Sequence, residues 1–256
     1  MRNTIVSVLI LGTSHAVPDV EHGNTHMLIQ TDEHNILIDC AGDIIQRLQK
    51  AEVPIERLTD LILTHFHPDH VSGAPLLLLG LWIMGRKEPL TIYGSQYTLE
   101  RMQTVMELYE WKTWPGFYPV TFQTIEEKEF APVLLTKEVR ILASPVAHMI
   151  PTIGLRVEFP QTGKTMAYSC DTSPCEQVIR LAENVDRLLH ESAGDSNGHT
   201  SAAQAAKIAN EAQAKALYLI HYAARGEGLQ AMKTEAEDIF TGPVAIAEDY
   251  MRLDFS

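Results

Sequence analysis

Thr64-His65-Phe66-His67-Pro68-Asp69-His70 places four potential metal ligands within six positions, directly behind the apolar run Leu61-Ile62-Leu63. His65 and His67 are two residues apart, so in an extended segment their side chains point the same way. Pro68 breaks regular structure and turns the chain, which lets Asp69 and His70 approach from a second direction. One loop is thereby able to serve two metal ions. Imidazole nitrogen and carboxylate oxygen suit zinc, with manganese or iron as alternatives. The bland alternative is an exposed histidine-rich turn, but surface turns seldom follow an apolar strand so directly.

On either side of this loop, short apolar strands alternate with helical segments. Ile5 to Leu11 is a near-continuous apolar run that ends at Gly12. Met27 to Gln30 and Asn35 to Asp39 read as a hairpin with its turn at Thr31 to His34. Asp43 to Lys50 has helical spacing, with Ile44, Ile45 and Leu48 on one side. Leu61 to Thr64 is the short buried strand that delivers the chain to His65. Val139 to Ala143, Thr152 to Phe159 and Thr165 to Ser169 are further strand candidates. Ser173-Pro174-Cys175-Glu176 predicts a helix start, with serine as cap, proline in the first turn and Glu176 closing a capping box. Ser201 and Gln204 open a second such helix, running to about Ala214, and Ala216 to Ile220 is a strand ending at His221. Histidines and aspartates thus recur at strand ends, where layered α/β folds gather ligands.

His-x-His-x-Asp-His after an apolar strand resembles the metallo-β-lactamase superfamily, and other segments agree in order. Leu11-Gly12-Thr13-Ser14 with Asn24-Thr25 is similar to the opening of the ribonuclease Z branch. Ala147-His148 resembles the third-histidine segment, and Ser169-Cys170-Asp171-Thr172 the bridging-aspartate segment. His190-Glu191-Ser192-Ala193, His199-Thr200-Ser201 and Leu219-Ile220-His221-Tyr222 resemble its last three motifs. The resemblance implies an α/β fold, a four-layer αββα sandwich with metals at one edge. It implies that His65, His67 and His148 hold one divalent ion, that Asp69, His70 and His221 hold a second, and that Asp171 bridges both. Hydroxide between the ions would be the nucleophile, with Asp69 counted among the catalytic groups. Glu191 and His199 match a pair that assists protonation of the leaving group, a role an oriented imidazole can fill. Taken singly, His148 reads as a core histidine, Asp171 as a cap for the helix after Ser173, and His221 as a strand end. His190 faces away from Glu191 along its strand and is left structural.

Three departures matter. Cys170 stands where the branch usually has glycine, and a packing role is expected of it. Pro68 replaces another glycine. Enzymes of the branch that clamp tRNA insert a long basic arm between the third histidine and the bridging aspartate. Here Pro151 to Tyr168 reads as two strands joined by Gln161-Thr162-Gly163. The aromatic segment around Trp111, Trp114, Phe117 and Tyr118 fills a core, makes a dimer contact, or forms a lid over the cleft.

Composition bounds the remainder. The chain of 256 residues, 45% hydrophobic and 21% charged, fits one hydrolase domain over 1–256. Its formal net charge of −13 favours solubility and weighs against polyanions. Cys40, Cys170 and Cys175 lack paired zinc-ribbon spacing, so a reducing cytoplasm is expected. The longest apolar stretch, Leu76 to Met84, is too short to span a membrane. The leading expectation is a dinuclear metal-dependent phosphodiesterase, related to ribonuclease Z, acting on a small phosphodiester or nucleotide end, with a homodimer as the expected assembly. The alternatives are a tRNA 3′-processing endonuclease, an arylsulfatase- or lactonase-type ester hydrolase, and a non-catalytic metal-binding module.

Overall fold

The structure, a computed structural model, describes residues 6–223 and 228–256. The start of the expected apolar run at Ile5 lies outside the described residues. Strands β1 (Ser7–Gly12), β2 (His26–Gln30), β3 (Asn35–Ile38), β4 (Asp60–Ile62), β5 (Leu90–Gly94) and β6 (Val120–Thr124) come from the first half. The second half supplies β7 (Ala131–Leu135), β8 (Arg140–Val146), β9 (Thr152–Phe159), β10 (Lys164–Tyr168), β11 (Arg187–Glu191), β12 (Leu217–Ile220), β13 (Val244–Ile246) and β14 (Arg252–Asp254). They form two seven-stranded sheets, ordered β14-β1-β2-β3-β4-β5-β6 and β13-β12-β11-β10-β9-β8-β7. The helices are α1 (Ile44–Lys50), α2 (Pro68–Val71), α3 (Ala74–Ile83), α4 (Gln96–Leu108), α5 (Glu176–Leu181), α6 (Ala202–Glu211) and α7 (Gly228–Glu237).

Strand alternation explains the layering. In β1 to β3, Val8, Ile10, Met27, Ile29, Ile36 and Ile38 turn toward the second sheet and meet Ile141, Leu155, Val157 and Met166. The residues between them, Leu9, Leu28 and Leu37, face the other way and pack with Ile44, Leu48, Leu77 and Leu81 of α1 and α3. The second sheet is likewise covered by α5, α6 and α7, through Val178, Ala205, Ala209 and Ala236. Both faces of central strands such as β1, β2 and β3 are therefore dry, which is why these strands read as near-continuous apolar runs. The result is the expected αββα sandwich.

Two local expectations are corrected. The helix predicted at Ser173 begins at Glu176, and its N-cap, Cys175, makes no side-chain cap bond. Ser173 is instead spent on tertiary structure, its Oγ accepting the Gly198 N–H at 3.0 Å. The second capping box is present, with Ser201 and Gln204 reciprocally bonded, but α6 stops at Glu211 rather than near Ala214. The stretch between His148 and Asp171 is taken up by a short loop and the antiparallel β9–β10 hairpin. The aromatic segment packs on α3 and β6: Trp114 stacks on Trp82 at 5.2 Å, and Trp111 meets Phe122 edge-on at 6.0 Å. Those contacts favour the packing reading of the segment over the lid. Among the described residues, no helix is long and apolar enough to cross a membrane.

Candidate metal centre

The loops that follow β4, β8, β10 and β12 converge at one end of the sandwich. They bring together all seven residues that the motifs single out as ligands. His67 caps α2 in an extended conformation, with Pro68 in the first turn, so the chain turns where expected. His65 and His67 fall in one group with His148 and Asp171, while Asp69 and His70 fall in another with His221.

The donors Asp69, His70, His221 and Asp171 are spaced as metal ligands are, whereas around His67 two spacings are of hydrogen-bond length. His67 Nδ1 lies 3.1 Å from both His65 Nε2 and His148 Nε2. Asp171 Oδ2 stands 3.9 and 4.0 Å from the same two Nε2 atoms. On the other side, Asp171 Oδ1 is 3.5 Å from His70 Nε2 and 3.4 Å from His221 Nε2. Asp69 Oδ2 lies 3.6 Å from each of these nitrogens. Atoms bound to zinc at about 2.0–2.2 Å stand roughly 3.3–3.6 Å apart at tetrahedral corners. Burial adds a second test. His70 Nε2, Asp171 Oδ1 and both His221 nitrogens are buried and have no hydrogen-bond partner among the described residues. Buried polar atoms without partners are costly. Divalent cations at the two foci would satisfy His70 Nε2, Asp171 Oδ1 and His221 Nε2, leaving His221 Nδ1 without a partner among the described residues, so the donor set fits two metal ions.

The far nitrogens of three histidines are fixed by neighbours. His70 Nδ1 is 2.8 Å from Asp39 Oδ2, and the Asp39 carboxylate also accepts the Thr64 N–H at 2.8 Å. His148 Nδ1 is 2.7 Å from the Gly198 carbonyl, and His65 Nδ1 is 3.2 Å from Thr64 Oγ1. Such partners orient the ring and set its tautomer. Burial pushes the pKa of His65, His67 and His148 down, toward the neutral form that ligates. Burial alone would raise Asp171, but His221, His70 and His65 around it hold the carboxyl well below the usual carboxylate range.

Beside these seven residues, His199 Nδ1 lies 3.0 Å from Glu191 Oε1. Glu191 is fully buried and held rigidly: its Oε1 accepts from Thr172 N and Thr200 N, and its Oε2 from Ala193 N. Its hydrogen bond raises the pKa of His199 against the opposing effect of burial. His190 turns away, its Nδ1 bonded to the Glu191 carbonyl. Cys170 is buried in the core between the sheets, with Sγ 3.6 Å from His65 Nδ1, the nitrogen facing away from the ligand set.

Sequence reasoning missed Asp39, treating it as a strand end. The available signal was a carboxylate closing an apolar strand that runs beside the one leading to His65. It also missed the backbone. Asp39, Cys170 and His221 have φ of 60°, 54° and 53°, in the left-handed region. The glycine expected at position 170 by resemblance is thus explained, because glycine enters that region without steric cost.

The chain is similar to known proteins over nearly its whole length. The family model described as "Anti-Pycsar protein Apyc1" matches residues 6–241. A ribonuclease Z from Methanothermobacter thermautotrophicus is 26% identical, covering 98% of this chain and 97% of the relative. The crystal structure of the metallo-β-lactamase fold protein YhfI from Bacillus subtilis superposes with a TM-score of 0.84 at 24% identity, over 98% of this chain and all of the other (100%). Human tRNase Z, short form, gives 0.78 at 24% identity, over 98% and 99% of the two chains. The resemblance to the metallo-β-lactamase superfamily and its ribonuclease Z branch, drawn from the motifs, is borne out.

Proposed function

The chain belongs to the anti-Pycsar protein Apyc1 family, and on that premise we propose that it is a metal-dependent phosphodiesterase acting on a small phosphodiester or a nucleotide end. The family's description states an opposing role and no reaction, so the reaction is argued from the site. One observation carries it. Asp171 directs one oxygen to each of two ligand sets, and the Glu191–His199 pair stands beside them.

In this reading His65, His67, His148 and Asp171 hold one divalent ion, and Asp69, His70, His221 and Asp171 hold another. The nitrogen-rich donors favour zinc. Ions there would supply a lowered water pKa at neutral pH and a Lewis acid for the phosphoryl oxygens. The protein's own part is orientation and proton delivery. Glu191 fixes the His199 ring through Nδ1, which leaves Nε2 to donate to the departing oxygen. Residues 1–256 act as one hydrolase domain.

Two features support a small substrate over tRNA. The segment before Asp171 is spent on the β9–β10 hairpin, and the net charge is −13. Folded RNA is held largely by basic contacts to phosphates. The apolar surface of α3 and its neighbours supports a homodimer. Leu76, Ile83, Met84, Leu108 and Tyr109 are exposed there, and α3 itself carries no charge.

A panel of phosphodiesters, phosphomonoesters, sulfate esters, lactones and β-lactams tests the reading, with zinc or manganese supplied. Phosphodiesters should be cleaved fastest. A preference for any other class would move the chain to a different chemistry.

A further inference from the structure

His221 differs from His65, His70 and His148. Its Nδ1 has no partner among the described residues, whereas His65, His70 and His148 are each held at the far nitrogen. Its backbone φ of 53° is a conformation that a non-glycine residue keeps only when its surroundings impose it. Its ring stands beside those of His70 at 5.3 Å and His199 at 5.9 Å, and its backbone is held by the chain on either side. On one side it ends β12. On the other, Tyr222 is anchored at both ends. The Tyr222 N–H reaches the Thr13 carbonyl at 3.3 Å, and its carbonyl accepts the His15 N–H at 3.1 Å. Its buried hydroxyl donates to the Ala247 carbonyl at 2.6 Å and lies 3.1 Å from Thr13 Oγ1.

The anchor continues beyond Thr13. Thr13 Oγ1 donates to Asp249 Oδ1 at 2.7 Å, while Asp249 Oδ2 accepts from Gly23 N at 2.8 Å and from the Arg47 guanidinium at 2.6 Å. Arg47 also donates to the Leu11 carbonyl and to Asp43. A Cβ at position 23 would fall 2.1 Å from the guanidinium carbon, so a side chain there would have to displace Arg47. One network thus ties β1, the following loop, α1 and the segment after β13 to the residue next to His221.

We propose that Tyr222, held by the Thr13 carbonyl at its N–H and by the Ala247 carbonyl at its hydroxyl, is a positioning residue that sets the His221 imidazole for the second metal ion. This rests on the two-ion reading given above.

The test is zinc titration of the full chain, after removal of metal, against a chelator of known affinity. It is run on the unaltered protein, on Tyr222→Phe and on Thr13→Val, with melting temperatures alongside. Both variants keep shape and remove only a hydroxyl. The second zinc equivalent should weaken by about 10-fold, the low end of what losing a hydrogen-bonded outer partner costs, because Tyr222 acts on His221 through the backbone, with the first equivalent and the fold unchanged. If both variants bind two ions as the unaltered protein does, the inference fails. An equal loss of both equivalents with a lowered melting temperature would make Tyr222 merely structural and also overturn it. If the unaltered protein holds a single ion, the ligand assignment fails first and takes this inference with it.

Discussion

His199 is the residue whose chemistry is most open to a clean test. A general acid matters when the leaving group is poor, because an activated group departs without a proton. His199→Ala should slow cleavage of an alkyl phosphodiester by about 10²–10⁴-fold, the usual worth of general acid catalysis. It should spare a nitrophenyl ester and leave metal content intact. Glu191→Gln should weaken the same step. Equal losses on both substrates would mean that the ring shapes the site instead. The loop from His65 to His70 was legible from residue type and local spacing, whereas His148, Asp171, His221, Glu191 and His199 were singled out by the resemblance of their segments. His65 and His67 two apart, and Asp69 beside His70, announce a purpose within one loop. Asp39, Ser173 and Gly198 were not legible in that way. Asp39 acts 31 positions from His70, and Ser173 supports His148 through Gly198, so their roles exist only once distant segments meet. The left-handed backbones at Asp39, Cys170 and His221 are invisible to residue type altogether.

At the scale of elements, β2 carries a pH-sensitive group away from the metals. His26 is buried, with Nδ1 2.7 Å from the Asn24 carbonyl. Burial, reinforced by Arg47, lowers its pKa from 6.5 to about 4. The unfolded chain then binds this proton more readily than the folded one, so stability is complete above about pH 6.5 and is lost as the pH falls toward 4. Between pH 7 and 5 the loss from this one group is roughly 2 kcal/mol. Urea unfolding should show His26→Gln losing less stability than the unaltered protein over that interval, by about that amount. Parallel losses in the two proteins would contradict the assignment. Strands with dry faces on both sides, such as β2, β3 and β9, were readable as apolar runs bounded by turns. β5, β6, β7, β13 and β14 were not identified. β6 is largely exposed and reads TFQ at its centre, while β13 and β14 have three residues each, too few for a period to register. The helix expected at Ser173 failed for another reason. A serine before a proline satisfies the local capping pattern, but tertiary structure claimed its hydroxyl first.

For the molecule as a whole, the layers follow from two alternating sets of side chains in each sheet, and the candidate ligand cluster sits where loops from both sheets meet. The aromatic segment was open to several readings because its partners on α3 and β6 are far off in sequence. Its packing leaves Leu76, Leu79, Tyr109 and Trp114 lining an apolar groove of about 230 Å³. Sedimentation at micromolar concentration should find a dimer, and Leu76→Glu with Ile83→Glu should yield folded monomer; a monomeric unaltered protein would contradict the assembly. The acidic surface leads to a second whole-molecule expectation. A tRNA precursor should be cleaved weakly beside a small phosphodiester, whereas tight, salt-sensitive tRNA binding with accurate trimming would point to a basic surface formed across the dimer. The most direct test of the central claim is metal content measured together with phosphodiester hydrolysis, for the unaltered protein and Asp171→Ala. The account predicts close to two divalent ions per chain, falling toward one in Asp171→Ala with nearly all hydrolysis lost. Full activity in Asp171→Ala, or full activity of the unaltered protein with a single ion, would contradict it.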